Sequence, residues 1–267
     1  MDSATFAAFR ALAYDQAGID LGPNKAELVS ARVARRVKEL GLGSPREYAD
    51  LLAADEGGQE LVKFLDAIST NFTSFFREPS HFDELRDHAR ARLLAGQKRF
   101  RFWSAASSSG EEPYTMAMVL ADVFDNHNVD WALLATDIST KVLGEASEGI
   151  YTAQQVQAVP AQTRARHFKV LRTGGETQYA VNEALKKHVT FARMNLSTPP
   201  FPMKGPFDAI FCRNVMIYFD QRVRQGLVSE AERLLAPGAN LFISHTETLT
   251  GVSSGLSQVR PSVYLKR

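Results

Sequence analysis

Apolar residues in the first hundred positions recur at the spacing of an amphipathic helix. One stretch carries them at successive intervals of four, four and three residues: Val29, Val33, Val37 and Leu40. That spacing places them on one helical face, and Asn24 followed by Glu27 resembles a capping box at the helix start. Two more helices are predicted over residues 60–69 and 80–94, the second capped by Ser80. The pattern therefore predicts that this part of the chain is helical.

In the remainder of the chain, short β-rich runs alternate with helical stretches. Strands are predicted over residues 100–105, 131–136, 189–194, 207–212 and 240–245. Helices predicted over 113–124 and 221–235 lie between strands, and this alternation is typical of a parallel sheet in an α/β fold. The final run, 262–267, is predicted to be an antiparallel strand beside that sheet. Residues 149–187 break the pattern and carry a hairpin signal at 172–175, so we interpret them as an insertion.

Composition and charge exclude several classes of function. The 267 residues are 45% hydrophobic, enough for one large domain or two smaller ones. A formal net charge of +1 argues against nucleic-acid binding and against a polybasic membrane surface. The single cysteine, Cys212, suits a reducing compartment. The chain start lacks a signal-peptide pattern and no run of about 18 apolar residues occurs, so we expect a cytoplasmic protein without membrane insertion.

Two carboxylates stand where a nucleotide-binding loop would present bare N–H groups. Ligands of open parallel sheets bind at the carboxyl ends of the strands. The loop after the first strand, residues 104–113, is rich in serine but has neither a G-x-G-x-x-G nor a Walker A pattern. Glu111 and Glu112 at its end would repel a pyrophosphate, whereas a cofactor with an ammonium and a sulfonium, S-adenosylmethionine, would be attracted. Asp137, at the end of the second strand, is predicted to accept hydrogen bonds from ribose hydroxyls.

Four segments carry a family resemblance. They are Asn71–Glu78 (NFTSFFRE), Trp103–Tyr114 (WSAASSSGEEPY), Ala135–Ile138 (ATDI) and Phe211–Asp220 (FCRNVMIYFD). In this order they resemble the signature segments of the CheR-type chemotaxis receptor methyltransferases, and the resemblance covers residues 5 to 267.

The resemblance implies a fold with two main parts. A small all-helical N-terminal domain would span residues 1–70, and a linker and helix would follow over 71–98. An α/β, Rossmann-like S-adenosylmethionine-dependent methyltransferase domain would span 99–267, with a small antiparallel β subdomain inserted at about 150–188. The implied activity is methyl esterification of glutamate side chains on the cytoplasmic helices of chemotaxis receptors, with S-adenosylhomocysteine as the second product.

The resemblance also assigns roles to residues that match its segments. The implied cofactor contacts are Asn71, Thr73, Arg77, Glu111, Asp137, Asn195, Leu196, Asn214 and Val215. Glu111 would meet the methionine moiety, although the motif leaves the choice between Glu111 and Glu112 open. Asp137 would meet the ribose, and the pair after the strand 189–194 would lie on the adenine side.

Arg77 and Tyr218 are the predicted catalytic residues. The Arg77 guanidinium can form a fork to a carboxylate of either the cofactor or the substrate, and Tyr218 offers a hydroxyl near the transferring methyl. Without the motif, a surface ion pair for Arg77 and a core position for Tyr218 would be the more common interpretations. The six histidines and one cysteine show no ligand spacing, so no metal site is predicted.

A basic helix and the inserted hairpin are the candidate contacts with a protein partner. Residues 24–40 carry a local charge of +3, and residues 107–149 carry −7. The basic set is Arg32, Arg35, Arg36 and Lys38. It would face the acidic methylation region of receptor helices, or it is only a solvated surface; whether the hairpin docks a receptor tail stays open. Two other functions remain alternatives: a nicotinamide-dependent oxidoreductase and a catalytically silent adaptor.

Overall fold

The N-terminal part of the chain is a helical domain with its own core. The computed structural model describes residues 1–55, 58–69, 71–173 and 175–267. The first helices are α1 (Ser3–Ala17), α2 (Ala26–Glu39), α3 (Pro45–Ala53) and α4 (Gln59–Ile68). They pack around fully buried aromatic rings of Phe9, Tyr48 and Phe64. The buried face of α2 includes Val29 and Val33, as the apolar spacing predicts.

Both predicted helix caps are wrong, although the helices themselves form. A 3-10 turn over Pro23–Lys25 precedes α2, and no side chain caps that helix. Asn24 therefore lies inside a turn and not at a cap position. Helix α5 (Ser80–Leu94) starts one residue earlier than the cap prediction requires, because Pro79 is its N-terminal flanking residue.

The remaining helices lie within or against the sheet domain. They are α6 (Glu111–Phe124), α7 (Thr140–Glu148), α8 (Ala161–His167), α9 (Glu183–Lys186) and α10 (Gln221–Leu234). Helix α6 begins two residues before the predicted start at Pro113, so both Glu111 and Glu112 belong to its first turn.

The described residues form a seven-stranded sheet whose central strands are parallel. Its strands are β1 (Arg99–Ala105), β2 (Asp130–Asp137), β6 (Val189–Arg193), β7 (Phe207–Cys212), β8 (Leu235–Phe242), β9 (Leu256–Arg260) and β10 (Val263–Lys266). The order is β6-β2-β1-β7-β8-β10-β9, and β10 runs antiparallel to both of its neighbours. The antiparallel strand predicted at the end of the chain is thereby confirmed. Strand β9 was not predicted, because its sequence LSQVR has no apolar alternation and it pairs only at the sheet edge.

A second, small antiparallel sheet confirms the predicted insertion. Its strands are β3 (Ile150–Thr152), β4 (Phe168–Thr173) and β5 (Glu176–Val181), in the order β3-β5-β4. Strands β4 and β5 form the predicted hairpin, whose residue Gly174 lies outside the described residues.

Two apolar layers cover the large sheet. Phe82 of α5 and Met116 of α6 belong to one layer, and Leu227 of α10 belongs to the other. These layers leave the carboxyl ends of the parallel strands facing the helical domain. Among the described residues, none of the helices has both the length and the apolar character that a bilayer span requires.

Candidate functional site

A cavity of about 390 Å³ lies where the helical domain meets the carboxyl ends of β1, β2, β6 and β7. Parallel sheets bind their ligands at this edge, because the loops after the strands diverge there. The helical domain supplies one wall through Ile19, Leu21 and Lys25, and Ala106 and Met194 belong to the sheet side. The cavity is therefore built by both parts of the chain.

Most of the residues predicted to form the site line this one cavity. They are Asn71, Thr73, Arg77, Asp137, Asn195, Leu196, Asn214, Val215 and Tyr218. Glu111 does not line it, whereas Glu112 does. The chain thus brings together segments that are more than a hundred residues apart in sequence.

The two adjacent glutamates of α6 face different surroundings. The Glu112 carboxylate accepts a hydrogen bond from Ser104 Oγ at 2.7 Å and lines the main cavity. The Glu111 carboxylate is buried, accepts from Ser109 Oγ at 2.7 Å, and lines a separate, smaller cavity beside Gln155. Burial raises the pKa of both carboxyl groups above the ordinary range. Only Glu112 can meet a ligand in the main cavity directly.

Asp137 holds the loop that follows β1. Its two carboxylate oxygens accept backbone N–H groups of Ser108 and Ser139, each at 2.9 Å. Ser108 adopts a left-handed backbone (φ 49°), and its hydroxyl donates to the Asn71 carbonyl at 2.9 Å. A Cβ atom at Gly110 would lie 2.7 Å from the Tyr151 hydroxyl, so glycine is required at that turn. The small-residue loop, the linker and the acidic residue are thereby locked together.

Arg77 and Tyr218 sit at the cavity through contacts that leave their functional groups available. Arg77 Nη1 donates to the Phe72 carbonyl at 3.0 Å, and its guanidinium lies 5.6 Å from the Phe72 ring centroid. The Tyr218 ring is stacked by Lys25, with Nζ 4.8 Å from the centroid. Both side chains line the cavity. Arg77 is therefore not explained as a surface ion pair, and Tyr218 is not explained as a core tyrosine.

Arg213 is a site residue that the sequence reasoning did not single out. Its side chain is almost fully buried, and it forms ion pairs of 2.9 Å with both Glu78 and Glu112. Its Nη2 also donates to the Arg77 carbonyl at 2.6 Å. Burial alone would raise the pKa of Glu78, but the hydrogen bond and charge of Arg213, together with the Ser244 hydroxyl and His245, outweigh burial and lower that pKa. One buried cation therefore connects the Arg77 segment to the first turn of α6.

Glu247 is a second residue near the site that the sequence did not predict. Its carboxylate accepts four backbone N–H groups at 2.8–3.0 Å, those of Asn214, Val215, Met216 and Ser244. Asn214 takes a left-handed backbone (φ 59°), which this cap supports. Glu247 lies 33 positions after Asn214 in a polar loop, so no local periodicity could have indicated the contact.

The helical domain reaches the cavity through the end of α1. Ile19 pairs with Phe219 in an isolated antiparallel bridge, and Asp20 N–H donates to the Tyr218 carbonyl at 2.8 Å. The Asn195 side-chain amide donates to the Gln16 carbonyl at 2.8 Å. Asn195 therefore ties the two parts of the chain together at the cavity edge.

The basic set on α2 is not a uniform docking face. Arg36 forms a 2.6 Å ion pair with Glu60, which also accepts from the Tyr48 hydroxyl. Arg32 donates to the carbonyls of Ala67 and Ser69 at 2.8 and 2.7 Å, at the end of α4. These two arginines stabilise the helical domain. Arg35 and Lys38 are exposed and remain the only members of the set that face solvent.

His81 is a buried histidine beside the ion-pair network. Its ring packs against Phe242 and His245, and neither ring nitrogen has a hydrogen-bond partner among the described residues. Glu78, His81 and His245 have ligand-type atoms within 4.8 Å of one another. The Glu78 carboxylate is already engaged by Arg213 at 2.9 Å and by Ser244 Oγ at 2.9 Å, so we assign no metal to this cluster.

The buried His81 ring makes stability depend on pH. Burial and the nearby Arg213 charge lower its pKa to about 4, from the usual 6.5. The unfolded chain takes up this proton near pH 6.5 and the folded protein only near pH 4, so acidification favours unfolding. The wild type should lose on the order of 3 kcal/mol more stability between pH 7 and pH 4 than the variant His81→Leu, as urea unfolding would measure. Substituting the exposed His127 with Gln is the control, and equal pH slopes for wild type and His81→Leu would contradict the assignment.

Comparison with known proteins agrees with this geometry. Residues 71–265 match the family model described as "CheR methyltransferase, SAM binding domain", and residues 4–69 match "CheR methyltransferase, all-alpha domain". The chain is 39% identical to the chemotaxis protein methyltransferase of Escherichia coli (strain K12), covering 99% of this chain and 91% of that protein. It is 37% identical to the corresponding protein of Borreliella burgdorferi, covering 96% and 91%. It is 39% identical to chemotaxis protein methyltransferase 2 of Pseudomonas aeruginosa, covering 94% and 89%.

The two family matches meet at the linker that enters the cavity, and together they span nearly the whole chain. These matches exclude the nicotinamide-dependent oxidoreductase as an alternative. They agree with the acidic, serine-rich loop after β1. The chain belongs to the CheR methyltransferase family, with the all-alpha domain of that family followed by its S-adenosylmethionine-binding domain.

Proposed function

We propose that this chain transfers the methyl group of S-adenosylmethionine to glutamate carboxylates on the cytoplasmic helices of chemotaxis receptors. The products would be glutamyl methyl esters and S-adenosylhomocysteine. The observation that carries the proposal is the single cavity at the strand ends, which gathers Glu112, Asp137, Arg77 and Tyr218 in a chain of the CheR family. A receptor substrate agrees with the names of the relatives, which are chemotaxis protein methyltransferases.

The donor set around the cavity fits S-adenosylmethionine. The Glu112 carboxylate, which also accepts from Ser104 Oγ and Arg213 Nη1, would attract an ammonium group by its charge, and Asp137 offers carboxylate oxygens to ribose hydroxyls. Leu196 and Val215 supply apolar contacts of the kind that a purine ring requires. When bound, the cofactor supplies an electrophilic methyl group on a cationic sulfonium.

The protein's part in the reaction is positioning and exclusion of water. A glutamate side chain has a pKa of about 4.3 in water, so it is already an anion at neutral pH and needs no general base. The Arg77 guanidinium holds a carboxylate at the cavity by a charge-assisted fork, and the Tyr218 hydroxyl orients the reacting groups by donating a hydrogen bond. The apolar walls remove water from the anion and raise its reactivity.

The choice between the two glutamates of α6 gives a matched pair of variants. Glu112→Gln is expected to weaken S-adenosylhomocysteine binding by about 10-fold, since it removes a charged acceptor that faces the cavity. Glu111→Gln should leave the Kd within about twofold, because Glu111 faces the smaller cavity. Isothermal titration calorimetry measures both. The opposite ranking would assign the cofactor's ammonium to Glu111.

The decisive experiment for the reaction uses labelled S-adenosylmethionine and a receptor cytoplasmic fragment. Label should appear on the fragment and should be released by alkali as labelled methanol, because methyl esters hydrolyse in base. Label that resists alkali would exclude a glutamyl ester. Binding of S-adenosylhomocysteine without any transfer of label would instead support the silent adaptor.

The remaining assignments rest on the same proposal. We divide the chain into residues 1–70, 71–98 and 99–267, with the β subdomain at about 150–188. The proposed substrate helices lie on the cytoplasmic side of the receptors, so we propose that the protein is cytoplasmic. Arg35 and Lys38 are the exposed members of the basic set and are the candidates to meet them, although Arg35 also forms a 2.9 Å ion pair with Glu39; the β4–β5 hairpin is a second candidate contact.

A further inference from the structure

A carboxylate behind the cavity wall holds the turn that follows β7. Glu247 lies between β8 and β9, and its two oxygens accept four backbone N–H groups at 2.8–3.0 Å. Three of these donors are consecutive, namely Asn214, Val215 and Met216. We call residues 214–218 the β7 turn. One anion thus fixes the start of a segment whose first two residues line the cavity.

The β7 turn needs this external support because its first residue is in an unfavourable conformation. Asn214 has a left-handed backbone (φ 59°), which residues with a side chain adopt mainly where their surroundings impose it. Glu247 accepts the Asn214 N–H at 3.0 Å, and Ser244 Oγ accepts from Asn214 Nδ2 at 2.7 Å. The Ser244 N–H in turn donates to Glu247 at 2.8 Å. Glu247 therefore holds both Asn214 and the residue that binds its side chain.

The support reaches Tyr218 through one further hydrogen bond. Val215 and Met216 both donate to Glu247 Oε1, at 3.0 and 2.8 Å. The Val215 carbonyl accepts the Tyr218 N–H at 3.1 Å and so closes the 3-10 turn Met216–Tyr218. A shift of Val215 would therefore displace the Tyr218 hydroxyl from the position that methyl transfer requires.

We propose that Glu247 is a positioning residue for methyl transfer, and that it acts by holding the β7 turn in the conformation that cofactor binding and the Tyr218 hydroxyl require. This inference rests on the proposed function and adds to it a residue that lies outside the cavity. Glutamine cannot replace this carboxylate. An amide keeps one acceptor oxygen but places an NH₂ donor against two of the N–H groups, which would then lack an acceptor.

The first test compares Glu247→Gln with a matched carboxylate elsewhere. Glu247→Gln should raise the Kd of S-adenosylhomocysteine by about 10-fold and lower kcat by about 30-fold, because the β7 turn is displaced. Glu232 on α10 also accepts a loop N–H, that of Gly255, at 3.1 Å with both of its oxygens, and neither residue lines the cavity. Glu232→Gln is therefore the control and should leave both values within about twofold. Circular dichroism checks that both variants fold.

A double-mutant cycle separates positioning from a general loss of structure. Tyr218→Phe should lower kcat by about 10-fold in the wild type but by less than about threefold in Glu247→Gln, because the hydroxyl is already displaced there. A general loss of structure would leave the effect of Tyr218→Phe undiminished. Glu247→Asp keeps the negative charge but shortens the side chain by one methylene, and it takes the place of Glu247→Gln in the cycle if the glutamine variant does not fold.

The outcomes separate this inference from the proposed function. An unchanged Kd for S-adenosylhomocysteine in Glu247→Gln would overturn the inference, and so would a full effect of Tyr218→Phe in that variant. The Kd is measured without any substrate protein. If the wild type transfers no methyl group but Glu247→Gln still weakens S-adenosylhomocysteine binding, the proposed function fails and the role of Glu247 in holding the β7 turn stands.

Discussion

Arg77→Ala is expected to lower kcat/KM for methyl transfer by at least about 100-fold while the fold stays intact. A charge-assisted fork to a carboxylate contributes about 1.5–3 kcal/mol, and the loss grows when the group also sets the reacting geometry. The Arg77 side chain donates one hydrogen bond to the Phe72 carbonyl and lies over the Phe72 ring, so its removal leaves the folded core unchanged. Steady-state kinetics and circular dichroism measure the two effects.

A matched control and a second readout make the result specific. Arg90 is exposed on α5 and does not line the cavity, so Arg90→Ala removes one positive charge elsewhere and should retain normal turnover. If Arg77 binds the cofactor's carboxylate, the Kd of S-adenosylhomocysteine should rise in Arg77→Ala. If it binds the substrate's carboxylate, that Kd should stay constant and the KM for the receptor fragment should rise. Near-normal turnover would remove Arg77 from the mechanism.

Arg213→Met is expected to reduce the free energy of unfolding by about 3–5 kcal/mol. The substitution keeps the length of the side chain but leaves Glu78 and Glu112 buried without their cation, and an uncompensated buried charge is costly. It also removes the donor to the Arg77 carbonyl, so the linker should lose its position and methyl transfer should fall. Urea unfolding at neutral pH measures the stability.

The reason for the loss can be tested by a double variant. Glu112→Gln added to Arg213→Met should recover part of the lost stability, because it removes one of the two stranded charges. Arg222 is an exposed arginine of α10, and Arg222→Met should change the free energy of unfolding by less than about 0.5 kcal/mol. A similarly small effect of Arg213→Met would show that the ion pairs contribute little.

Local patterns predicted the elements better than their ends. The intervals between Val29, Val33 and Val37 were enough to place α2, although Leu40 lies just past its end and is exposed, and the β-rich runs were enough to locate the central strands. The capping residues failed, because Pro23 starts a 3-10 turn whose geometry depends on packing. Strand β8 starts at Leu235 and not at residue 240, and it ends at Phe242, before the turn in which Glu247 accepts the Ser244 N–H group.

Several residues of the candidate site were predictable because they follow strands. In a parallel sheet the carboxyl ends of the strands share one edge, so Asp137, Asn195 and Asn214 meet without any long-range information. Glu247 and Arg213 escaped prediction because their roles arise from contacts across the sheet. The wall formed by Ile19 and the rest of the helical domain also depends on how the two parts pack.

The sequence by itself determined the family, the α/β class, the helical N-terminal part and the group of residues at the strand ends. Periodicity and motif spacing are local properties, so they can be recognised in the sequence without knowledge of the fold. Only the tertiary structure decided which of Glu111 and Glu112 faces the main cavity, because neighbouring helix residues point about 100° apart and the phase depends on how α6 packs. It likewise decided that Arg36 is partly buried against Glu60 while Arg35 faces solvent. Charge counts along a chain cannot distinguish these two arginines, because burial and pairing are set by residues that lie far away in sequence.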